Sequence, residues 1–149
     1  MNTLFETESN NKIIERINRL NSSSPAQWGE MSVSQMLAHC SETLIIAIGD
    51  KEVKRDFLGY FFGNIAKKQA LSDKPIKKGL PTSKVFKMTT DKNFDEEKTK
   101  LISLLNRFAE IGTGGIKDYP HPFFGYMTPE EKGLIQWKHL DHHLSQFGV

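Results

Sequence analysis

Thr128-Pro-Glu-Glu-Lys-Gly-Leu-Ile-Gln-Trp-Lys-His-Leu-Asp-His-His-Leu-Ser-Gln146 is the stretch that decides the fold. Thr128 offers a hydroxyl to cap a helix. Pro129 suits the first helical position, where an N–H would be unbonded anyway, and Glu131 is placed to close a capping box. A last helix over about Pro129–Gln146 follows, with Gly148 behind it. The same signals recur upstream. Ser32 and Gln35 form a second capping box, and Val33, Met36, Leu37, Cys40, Leu44, Ala47 and Ile48 then fall within an arc of about 120° at helical spacing. Ile13, Ile14, Ile17 and Leu20 place a first helix over about Glu8–Leu20, stopped by Asn21-Ser-Ser-Ser-Pro25. Leu101, Leu104, Leu105 and Phe108 predict a helix over Glu96–Ile111, ended by Gly112, Gly114 and Gly115. A Phe-, Gly- and Ala-rich segment at about Asp56–Leu71 reads as a further helix, weakened by Gly59 and Gly63. Four substantial helices and no convincing strand predict an all-α bundle, one domain over residues 1–149.

Two long loops interrupt the helices. Ser72–Lys92 holds two prolines, a glycine and six lysines, and within it Lys84–Thr90 reads as a short extended piece. Loops of this length in a compact domain are usually lids, binding loops or mobile segments. Thr113–Met127 contains Tyr119-Pro-His-Pro-Phe-Phe-Gly125, whose prolines and aromatics predict an ordered loop packed on the bundle.

Composition excludes several classes. With 38% hydrophobic residues and ten Phe, the chain has the material for a core and is neither disordered nor low in complexity. The single cysteine, Cys40, forms no internal disulfide, which points to a reducing compartment. Twenty Lys+Arg against eighteen Asp+Glu give a net charge of +2, too balanced to argue for nucleic acid. No apolar run approaches the roughly 18–20 residues of a membrane span, and Met1–Asn11 lacks the basic and apolar regions of a signal peptide. The expectation is a cytoplasmic protein without a membrane partner.

The histidines carry the chemistry. Three of the five lie in the last helix. His139 and His143, four residues apart, stand one turn apart on one face, the spacing by which a helix supplies two ligands to one metal ion. Both flank the apolar face formed by Leu140, Leu144 and Phe147, whereas His142 lies further round. Such a pair near a helix C-terminus also complements the helix dipole, with no metal at all. His39, on the flank of the second helix's apolar stripe, is the candidate third ligand or else a core-edge histidine. Cys40 points about 100° away from it and reads as a small buried hydrophobe. Glu42 and Gln35 lie on the solvent side near His39, as partners of the site or as solvated residues. His121, between two prolines, either closes over the site mouth or fixes its loop. Gln146, one turn beyond His142 and His143, is placed to orient a ligand or a His tautomer. The lysines at 74, 77, 78, 84 and 87 offer an acidic-ligand surface or merely a solvated loop. No serine nucleophile elbow or phosphate-binding glycine loop is present.

These residues also carry a resemblance. Trp28-Gly29 followed by Met31-Ser-Val-Ser-Gln-Met-Leu-Ala-His-Cys40 resembles the second helix of the DinB/YfiT-like superfamily. His139-Leu-Asp-His-His-Leu-Ser-Gln-Phe147 resembles its last helix, and His121-Pro-Phe-Phe-Gly-Tyr-Met-Thr-Pro-Glu-Glu131 is similar to a bacterial subgroup of unknown function. The resemblance covers most of Trp28–Gly148. It implies a DinB-like four-helix bundle with long connecting loops, and a metal held by His39, His139 and His143. It also implies a divalent cofactor, zinc or nickel before others, and a homodimer. Characterised relatives include thiol-dependent transferases and isomerases that use low-molecular-weight thiols, so a small-molecule thiol is the substrate class implied. The long basic loop departs from the superfamily pattern. The competing expectation is a non-catalytic bundle that holds a small ligand in its groove without a metal. A third is an adaptor that uses the lysine loop on an acidic partner.

Overall fold

The computed structural model describes residues 2–149. Its order is α1 (Thr7–Arg19), α2 (Val33–Ile48), α3 (Phe57–Ala70), α4 (Phe94–Ile111) and α5 (Pro129–Gln146), with 3-10 turns at Lys84–Phe86 and Thr113–Gly115. No strand occurs among the described residues. His121 and Gly125 form one isolated antiparallel bridge. Both predicted capping boxes are present, Ser32 with Gln35 on α2 and Thr128 with Glu131 on α5. α4 starts two residues earlier than its apolar stripe indicates. Asn93 caps it by accepting the N–H of Glu96, and Asp95, Glu96 and Glu97 set negative charge against the positive end of the helix dipole. The extended piece expected at Lys84–Thr90 is absent: Lys84–Phe86 is a 3-10 turn, because Phe86 turns inward and is 7% exposed.

Helix α2 lies along α4 and α5, and α1 packs on α4 and α5. The core between them takes Ile13 and Ile17 from α1, and Met36, Leu37, Cys40 and Leu44 from α2. Leu101, Leu105 and Phe108 come from α4, and Leu140 and Leu144 from α5. Two polar side chains of α1 tie it to its neighbours. The Asn10 Nδ2 donates to the Leu105 carbonyl at 2.8 Å, tying α1 to α4. Arg16 ties α1 to α5: it bonds the Asp141 carboxylate at 2.6 Å and the Val149 carbonyl at 2.8 Å.

Helix α3 contributes nothing to this core. Its buried residues are Gly59 and Gly63 alone, which face the backbone of Phe123. A Cβ on Gly59 would stand 2.6 Å from the Phe123 carbonyl oxygen, so the helix reaches the loop only because both positions lack side chains. No helix among the described residues is long and apolar enough to cross a membrane.

Candidate metal centre

The site is built where α2 faces α5. His39 comes from the middle of α2, and His139 and His143 from successive turns of α5, so three imidazoles meet across one helix–helix seam. The His139 Nε2 lies 3.0 Å from the His39 Nε2 and 3.2 Å from the His143 Nε2. One nitrogen from each of the three lies within 4.8 Å of the others. His39 and His143 are buried, at 4% and 8% exposure, and His139 keeps more accessible surface.

What surrounds the rings explains why these nitrogens converge. The His39 Nδ1–H donates to the Phe86 carbonyl at 2.8 Å. The Gln146 Nε2 donates to the Trp28 carbonyl at 2.6 Å, which turns the Gln146 Oε1 toward His143, where it accepts from Nδ1–H at 2.7 Å. The Thr43 hydroxyl has two acceptors for its one proton, the Cys40 carbonyl at 2.9 Å and the Gln136 Oε1 at 3.1 Å. With that proton so used, its oxygen can only accept from the His139 Nδ1, 3.5 Å away. The Nδ1 atoms of His39 and His143 thus carry their protons, and the longer Thr43 contact favours the same tautomer for His139, which turns each Nε2 lone pair toward the cluster.

Three lone pairs at this distance repel unless a cation lies among them. A shared proton is disfavoured. Burial pushes His39 below its ordinary value, and burial with the neighbouring His39 charge takes His143 down to about 3. His139 is held well below its ordinary range, by burial first and then by the charges of His143 and His39. A divalent ion fits the donor set. Zinc with nitrogen ligands at about 2.0–2.1 Å in a tetrahedron sets those nitrogens about 3.3 Å apart, close to the separations of His139 from His39 and from His143. Protonated Nδ1 groups bonded to carbonyl, amide and hydroxyl oxygens are the usual support of metal-binding histidines.

Residues 2–148 match the family described as a protein of unknown function, DUF1569. The chain belongs to that family. No curated protein and no solved structure matches this DUF1569 chain significantly.

The other candidate residues of this DUF1569 protein stand apart from the three nitrogens. The Glu42 carboxylate pairs with Lys51. Gln35 is spent on the α2 capping box and on the Thr90 carbonyl. His142 sits edge-on to Trp28 with ring centroids 5.8 Å apart, and Lys78 covers that indole at 3.9 Å. Cys40 is fully buried beside Met36, and burial pushes its thiol up. The His121 Nδ1 accepts the N–H groups of Phe123 and Phe124, both at 3.1 Å, and its ring stacks on Phe124. That is the loop-fixing role, with Phe86 between His121 and His39.

Four contributors escaped the sequence reading. The Phe86 and Trp28 carbonyls are backbone groups in irregular segments, and no residue type announces them. Thr43 and Gln136 carry no signal of their own in the sequence, although each lies about one helical turn from a histidine of the cluster.

Two consequences follow from these bonds. Gln146→Leu removes the acceptor for the His143 Nδ1–H, and its apparent zinc affinity, measured by chelator competition, is expected to fall about 10–100-fold. Burial and the Lys132 ammonium hold His121 down to about 4. The unfolded imidazole titrates near 6.5, so the unfolded chain takes up the proton first. The His121 contribution is complete above about pH 6.5 and is lost as pH falls toward about 4, up to roughly 3 kcal/mol in all. His121→Asn should therefore flatten the acid-side fall in urea midpoint between pH 6.5 and 4.5. An unchanged slope would count against this account.

Proposed function

We propose that this DUF1569 protein is a DinB-like four-helix bundle of α1, α2, α4 and α5 that acts as a metal-dependent enzyme, with His39, His139 and His143 holding zinc or nickel. The observation that carries the proposal is the convergence of three Nε2 lone pairs whose Nδ1 protons are all committed elsewhere. When bound, such an ion supplies Lewis acidity that lowers the pKa of a water or thiol joining it at an open position.

The rest is the work of this chain's own residues. Phe86, Gln146 and Thr43 fix the ring tautomers and keep the proton off each Nε2. The three ligands are neutral, so a divalent ion there keeps its full charge and favours an anionic partner. A thiolate meets that requirement, in line with the thiol-dependent transferases and isomerases of the resembling superfamily. The resemblance further implies a homodimer and a cytoplasmic setting.

The test is the metal content of protein purified without an affinity tag or chelator, beside His39→Ala. About one ion per chain, lost in the variant, supports the proposal and justifies assays with low-molecular-weight thiols. No ion after incubation with zinc, nickel or manganese overturns it, and the non-catalytic ligand-binding bundle then takes its place.

A further inference from the structure

The outward face of α3 is the least expected surface of the molecule. Phe57, Leu58, Tyr60, Phe61, Phe62 and Ile65 are between 55% and 73% exposed. Phe57, Phe61 and Ile65 form one stripe at helical spacing, and Leu58 and Phe62 lie beside it. This face lies opposite the buried Gly59 and Gly63, so the amphipathic pattern is reversed: small residues face the protein and large apolar ones face outward. No charged residue occurs from Phe57 to Ala66. Together the six side chains expose on the order of 600 Å². That is at the upper limit of the largest apolar patch on a typical monomer. The same patch paired with itself buries on the order of 1,200 Å², the lower end of a specific interface.

We infer that the α3 face is the contact between two copies of this chain, crossing antiparallel about a two-fold axis. A two-fold contact sets one patch against itself, which an uncharged stripe permits without any complementary surface. Charged residues flank the stripe without interrupting it, Lys54, Arg55 and Asp56 before it and Lys67 and Lys68 after it, so an antiparallel crossing buries the uncharged middle. An anionic membrane surface suits the face less well, because of its basic neighbours only Lys54 and Lys68 stay exposed and unpaired. Lys67 bonds the Tyr126 carbonyl and Glu131, and Arg55 bonds the Gly59 carbonyl and lies over the Tyr60 ring. A surface-bound helix needs free cations along its polar face.

The inference does not depend on the metal reading. The test is sedimentation equilibrium of the full chain, wild type beside Phe61→Glu, with helix content followed by circular dichroism. The wild type is expected to be a dimer at micromolar concentration. Phe61→Glu, an outward change, should be monomeric with its helices and metal content retained. A monomeric wild type overturns the inference, as does a Phe61→Glu protein that still dimerises. A monomer that floats with phosphatidylserine–phosphatidylcholine vesicles, and loses this in Phe61→Glu, overturns it in favour of a membrane surface. Because Phe61 is remote from the histidines, loss of the dimer and loss of the metal are read separately.

Discussion

Replacing His139 by alanine is expected to abolish retention of a divalent ion while the helices stay folded. His139 is the middle member of the cluster, with its Nε2 3.0 Å from that of His39 and 3.2 Å from that of His143. Without it two ligands remain, on different helices and with no third donor to close the site. Metal binding by a structural zinc site is worth on the order of 10 kcal/mol, so one ligand in three is expected to account for about 4 kcal/mol, roughly a thousandfold in affinity. The fold should survive, because removing the ring also removes two close lone-pair contacts and leaves the apolar seam of Leu140 and Leu144 intact. The measurement is thermal unfolding with and without zinc. A ligand that binds the native state raises the melting temperature, so the wild type should shift and His139→Ala should not. An equal shift in both proteins would remove His139 from the site.

The second large effect is on stability alone. Phe108→Ala is expected to cost about 3–5 kcal/mol, read as a lowered urea midpoint at unchanged slope. Phe108 is fully buried on α4, one turn beyond Leu105, and its ring lies 4.9 Å from that of Phe5. Deleting it opens a void in the core that α4 shares with α1 and α2. For a chain of this size that loss corresponds to a melting temperature lower by roughly 10 °C. A loss below about 1 kcal/mol would show that the core rearranges to fill the space.

Much of this architecture is legible in the sequence because its signals are local. Ser32 with Gln35 and Thr128 with Glu131 mark helix starts through bonds made within one turn. Leu101, Leu104, Leu105 and Phe108 mark a buried face through spacing alone. The histidine pair on α5 is legible for the same reason, since residues four apart on a helix share a face. What the residues could not settle by themselves was whether His39 would meet that pair, because this depends on how α2 and α5 lie together. The turn at Lys84–Phe86 was misread because its conformation answers to a distant demand. Phe86 is buried against the bundle, and its carbonyl serves His39, 47 positions earlier in the chain. Local propensity says nothing about such a bond. The outward apolar face of α3 was hidden for the opposite reason: periodicity marks an apolar face but not which way it points.

One small residue ties the loop before α2 to the candidate metal centre. Gly29 has a φ of +81°, and a Cβ built on it would lie 2.6 Å from the Gln146 Nε2. That amide nitrogen donates to the Trp28 carbonyl next door, and its oxygen holds the Nδ1 proton of His143. Any side chain at position 29 would both strain the backbone and push Gln146 off its partners. If the histidines hold an ion as proposed, its affinity is thus expected to fall on substitution of a residue that never touches it. In a screen for loss of metal binding, substitutions at position 29 should appear beside those of the histidines. An engineer wishing to loosen the ion without dismantling its ligands would start there.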